Sequence, residues 1–103
     1  MPDKKLEEII NKILQVIIPD KIILFGSRAR GEAGEDSDYD LLIIKSGIEN
    51  KREICKKLYR NMLGTNASVD IILEKPEIIE KYKNSVGFIY KFALKEGKVV
   101  YVR

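Results

Sequence analysis

Short apolar runs alternate with segments of helical period along this chain, and that alternation restricts its fold more than any other feature. The runs are IILF at 22–25, LLII at 41–44, IIL at 71–73 and VVYV at 99–102. Each is too short to make a buried helix and is bounded by glycine or polar residues, so each reads as a strand. Between them lie helix-like stretches. From residue 3 to about 18, Leu6, Ile9, Ile10, Ile13, Leu14 and Ile17 recur at helical spacing until Pro19-Asp20 stops them. Residues 21–25 form the first strand, closed by Gly26, and residues 27–31 suit one or two helical turns with Ser27 at or near the N-cap. Residues 32–37 form a polar loop, and residues 38–45 the second strand.

A second helix over 48–63 carries Ile54, Leu58 and Met62 on one face and stops at Gly64. The third strand spans 67–74. Pro76 then suits the first position of one long helix whose stripe is Ile79, Tyr82, Val86, Ile89, Tyr90 and Ala93, with Gly87 a weak point and Gly97 the end. A fourth strand follows at 98–102. The expected order is αβαβαβαβ, an α/β (α+β) fold with helices packed on a small, mixed four-stranded sheet. Pattern alone leaves open the directions of the third and fourth strands.

The 103 residues have room for one domain, 1–103, with a core thin enough that a partner subunit, identical or different, would help it. A single cysteine and no histidine exclude a disulfide framework, a zinc finger and a histidine-dependent nucleophile. Acid–base or metal chemistry must then fall to carboxylates. Nineteen basic against sixteen acidic residues give a net charge of only +3, too balanced for a chain held on nucleic acid by bulk charge. No run approaches the roughly 18 apolar residues of a membrane span. With a charged N-terminus and the lone Cys55, a cytoplasmic setting is expected.

The chemistry concentrates in FGSRARGEAGEDSDYDLLII, residues 25–44. Alternate side chains of a strand share a face, so Asp38 and Asp40 project together, roughly 7 Å apart along the backbone, while Tyr39 and Leu41 face the other way. An isolated Asp-x-Asp is more often a solvated strand end. Here, however, Asp70 interrupts another apolar run, where a carboxylate packs poorly. If the third strand lies beside the second, the three carboxylates share one face. Oxygen ligands without histidine or thiolate suit Mg²⁺ or Mn²⁺. Gly26 lets backbone approach a ligand, and a helix starting at Ser27 offers free N–H groups to a phosphate. Arg28 and Arg30 could add positive charge, but residues two apart on a helix diverge, so only one of them should face the cleft.

This constellation resembles the nucleotidyltransferases of the DNA polymerase β superfamily. Gly26-Ser27 is followed by ten residues, then Asp38-Tyr39-Asp40, with Asp70 as the third acidic position. The wider string GSRARGEAGEDSDYDLL is similar to the minimal nucleotidyltransferase branch, small proteins of about this length. The resemblance implies that Asp38 and Asp40 bind two Mg²⁺ ions, that Asp70 completes the site of the ion activating the attacking hydroxyl, and that Gly26 and Ser27 hold the triphosphate of ATP. It further implies pairing with a HEPN toxin, with this chain as the antitoxin that transfers AMP to a toxin tyrosine. Two other readings stand beside it: a non-catalytic module that masks its partner, and a nucleotidyltransferase acting on a small molecule or an RNA 3′ end. Lys81, Lys83, Lys91 and Lys95 spread around their helix and suit a solvated face.

Overall fold

A computed structural model describes residues 3–32, 34, 37–85, 87 and 89–103. Helix α1 (Lys4–Leu14) starts where the Asp3 carboxylate accepts the Leu6 backbone N–H at 3.1 Å. It ends a turn earlier than the apolar spacing predicts. Val16, Ile17 and Ile18 are β-branched and Pro19 follows, which disfavours helical backbone there. Val16 and Ile17 still pack on the core from an irregular segment. Strand β1 (Lys21–Phe25) leads into the short helix α2 (Ser27–Arg30), and β2 (Tyr39–Ile44) comes next; residues 33, 35 and 36 of the expected polar loop lie outside the described residues. Helix α3 (Lys51–Asn61), capped by the Asn50 side chain, leads to β3 (Val69–Glu74).

The single long helix expected after Pro76 is two helices, α4 (Pro76–Tyr82) and α5 (Ile89–Glu96). Gly87 stands between them at φ +92°, a left-handed conformation that no helix interior accepts. Val86, assigned to the stripe of that helix, lies outside the described residues. Strand β4 (Lys98–Val102) has the predicted bounds.

The sheet is mixed, in the order β3-β2-β1-β4. Strand β1 runs antiparallel to both β2 and β4, and β2 runs parallel to β3 through the α3 crossover. One sheet face, with Ile22, Leu24, Tyr39, Leu41, Ile43 and Ile71, is covered by Ile9 and Ile13 of α1, by Leu58 of α3 and by Met62 at its C-cap. On the other face Ile23, Phe25, Leu42 and Ile44 pack on Ile79 of α4 and Ala93 of α5. The outer edge of β3 is sealed in part by Tyr59, whose hydroxyl accepts the Ile71 N–H at 2.8 Å and donates to its carbonyl at 3.3 Å.

Helix α5 crosses its face diagonally. It starts near the C-terminal end of β3, where the Tyr90 hydroxyl donates to Glu74 at 2.8 Å. It ends over β1, where Gly97 leaves no room for a β-carbon between the Ala93 carbonyl and the Ile23 side chain. On that side Asp70, near the N-terminal end of β3, is exposed and Asp40, near that of β2, is half-buried. Among the described residues, no helix is long and apolar enough to cross a membrane.

Candidate active site

The parallel pairing of β2 and β3 sets Asp40 directly opposite Asp70, and the antiparallel pairing of β1 sets Phe25 opposite Asp40. Asp70 therefore joins Asp40 on the same face. Asp38 precedes β2, whose first residue is Tyr39, and lies near enough for its charge to act on Asp40. Asp38 and Asp70 are exposed and Asp40 is half-buried.

Their mutual field is legible in Asp40. Its carboxyl is pushed above the usual aspartate range by burial first, then by the negative charges of Asp70 and Asp38 and by hydrogen bonding with Asp70, while Arg30 opposes the rise. Among the described residues the acidic side chains face one another without closing into a set of three metal ligands. The donor set itself is anionic and made only of oxygen, which Mg²⁺ or Mn²⁺ accepts, and a cation would remove the repulsion that now raises Asp40.

Gly26 is pressed against this group. Its φ is +76°, and a β-carbon there would collide with the Asp40 carboxylate. Gly26 rather than Ser27 is the N-cap of α2, and Ser27 is its first helical residue. The turn thus sets the start of α2 beside the Asp40 carboxylate.

The two arginines part company. Arg28 lies against the opposite side of β2: its guanidinium stacks on the Tyr39 ring at 3.9 Å from the centroid, and its Nε donates to the Ser37 carbonyl at 2.9 Å. The Tyr39 hydroxyl donates in turn to Asp3 at 2.9 Å. A cavity of about 440 Å³ on that side is lined by Lys5, Arg28, Ser37, Tyr39 and residues 66–68, with none of the three carboxylates in its wall. Arg30 is the arginine whose charge reaches Asp40. It is bound to two glutamates, Glu32 at 3.2 Å and Glu96 at 3.3 Å. Sequence reasoning missed Glu96, because the contact joins residues 66 positions apart and no local pattern announces it.

Cys55 is half-buried on α3, and burial pushes its thiol above the ordinary range, in keeping with a packing role. Lys81, Lys91 and Lys95 are exposed, and Lys83 pairs with Glu80 at 2.7 Å.

Comparison with known proteins identifies the family and the fold. The family model described as "Polymerase beta, Nucleotidyltransferase" matches residues 4–103. Two proteins of Methanocaldococcus jannaschii, both named candidate protein adenylyltransferases, are similar. MJ0604 is 37% identical over 82 residues, covering 79% of this chain and 77% of its own. MJ0141 is 33% identical over 86 residues, covering 81% and 86%. Among solved structures, a candidate nucleotidyltransferase from Sulfolobus solfataricus superimposes with a TM-score of 0.63 at 25% identity, over 97% of this chain and 79% of that one. A toxin–antitoxin structure with AMP-PNP shares the fold, with a TM-score of 0.64 at 20% identity over 94% of this chain and 73% of that one.

Proposed function

From the premise that this chain belongs to the polymerase β nucleotidyltransferase family, we propose that it transfers AMP from ATP to a tyrosine hydroxyl of a partner HEPN toxin and so acts as that toxin's antitoxin. The observation that carries the chemistry is the register of Asp40 with Asp70, with Gly26 seated against Asp40. Asp38, Asp40 and Asp70 are the residues that would hold two Mg²⁺ ions. When bound, such ions stabilise the charge on the entering and leaving oxygens of a phosphoryl displacement.

The chain's own groups supply the rest. The Gly26 turn and Ser27 bind and orient the triphosphate, and Arg30 adds charge to it. The acceptor oxygen forms its bond to the α-phosphorus as the bond from that phosphorus to the bridging oxygen breaks, and pyrophosphate leaves. Asp70, exposed at the sheet edge, takes up the proton of the attacking hydroxyl. The reaction belongs in the cytoplasm, where ATP and Mg²⁺ are plentiful.

The toxin–antitoxin likeness of the fold supports the choice of partner. So do the large apolar side chains left exposed on α5, Phe92 at 59% and Ile89 at 44%, which a small chain standing alone would tend to cover. To test the proposal, the protein is mixed with labelled ATP, Mg²⁺ and the HEPN protein encoded beside it. Label should appear on a tyrosine of the partner, and Asp38→Ala/Asp40→Ala should abolish it. Equal labelling by both forms refutes the proposal. Protection from the toxin by the double variant would instead favour masking without catalysis.

A further inference from the structure

We infer that Glu96 is a positioning residue that holds the Arg30 guanidinium back until a bound triphosphate displaces it; this rests on the nucleotidyl-transfer reading of the same cleft. Arg30 donates through Nε to Glu32 and through Nη1 to Glu96. Two carboxylates on one guanidinium leave that corner with a net negative charge, beside three more carboxylates.

The backbone that carries Glu96 is held in place. It is the last residue of α5, and the next residue, Gly97, is wedged against the Ala93 carbonyl, the Ile23 side chain and the Leu24 carbonyl. The helix end is therefore fixed to β1, which keeps the Glu96 carboxylate within reach of Arg30. The orientation of α5 places this contact on the cleft side. Leu94 turns to the opposite flank, into a depression lined by Asp20, Lys21 and Ile79. Glu96 and Phe92, four residues apart, share the flank that borders the N-terminal ends of β2 and β3.

A triphosphate arriving at the start of α2 meets an arginine that is already engaged. Both members of the Arg30–Glu96 pair are more than a third exposed. Such pairs are weak, whereas arginine–phosphate hydrogen bonds are strong, so the nucleotide takes the guanidinium at some loss of affinity. Glu96 thereby raises the concentration of nucleotide at which the site fills and leaves the chemical step alone.

Equilibrium titration of the full chain with MgATP tests this, using wild type, Glu96→Gln, Arg30→Gln and the double variant. Glu96→Gln should tighten binding about three- to fivefold and lower KM in AMP transfer by a similar factor, with kcat and Tm unchanged. In the Arg30→Gln background the same change should have no effect. Unchanged or weaker binding by Glu96→Gln overturns the inference, as does an equal gain in the Arg30→Gln background, which would make Glu96 a mere repulsive charge. If wild type binds no MgATP, the nucleotidyl-transfer reading fails first and this inference with it.

Discussion

Two carboxylates at opposite ends of the same parallel strand pair have opposite fates. Asp40 lies at the N-terminal end of β2, opposite Asp70, and Glu74 ends β3, opposite Ile44. Both are drawn out of water. For Glu74, burial alone would raise its pKa, yet it stays below the usual glutamate range because Tyr90, Lys51 and the Lys75 N–H all donate to it. The same contact, after burial itself, pushes the Tyr90 hydroxyl up to about 12. Asp40 is raised, by burial first and then by the charges of Asp70 and Asp38, with Arg30 opposing. A carboxylate whose donors are all within the fold belongs to the architecture. One whose neighbours are other anions waits for something positive from outside.

The largest difference should appear in catalysis. Asp40→Asn should lower AMP transfer about a thousandfold or more, measured as initial rate of label incorporation, while Glu74→Gln keeps most of the rate per folded molecule. A Glu74 variant as inactive as the Asp40 variant would erase the contrast. Next comes Gly26→Ala. The positive φ and the collision with Asp40 should cost roughly 1–3 kcal/mol of stability and displace the carboxylate. A rate loss of about a hundredfold is expected, read by denaturant melts alongside the transfer assay.

In stability the order reverses. Glu74→Gln replaces a charged acceptor of three donors and should cost roughly 1–3 kcal/mol, seen as a lower urea midpoint at neutral pH. The pH dependence follows from sign. A lowered pKa means that Glu74 contributes stability above its unfolded value near 4.5, lost as pH falls through its lower folded value. The acid limb of the wild-type stability curve should therefore flatten in Glu74→Gln.

The smallest effect has the opposite sign. Asp40, raised from 3.8, contributes stability only below that pH and loses it as pH rises through its folded value. Asp40→Asn should melt a few degrees above wild type at neutral pH without metal. Adding Mg²⁺ should then raise the melting temperature of wild type and leave the variant unmoved. A variant that melts lower than wild type would show that Asp40 is not held against repulsion.

The strands were legible because each is a short apolar run with a polar or glycine boundary, and β1 and β4 kept their predicted bounds. The break between α4 and α5 was not, because Gly87 reads as a weak helix residue until its backbone conformation is known. The Gly26-Ser27 turn was legible from its place after β1, whereas β2 begins at Tyr39, so Asp38 comes near Asp40 from just outside the strand the sequence placed it in.

What the sequence determined by itself is local. It set the period of each segment, the chemistry available without histidine, and the closeness of Asp38 to Asp40 in one short stretch. Tertiary structure alone decided that Asp70 meets them, that Arg30 rather than Arg28 stands on their side, and that Glu96 reaches Arg30. Register between strands and the angle of a helix across a sheet depend on how whole faces pack, and no run of neighbouring residues carries that information.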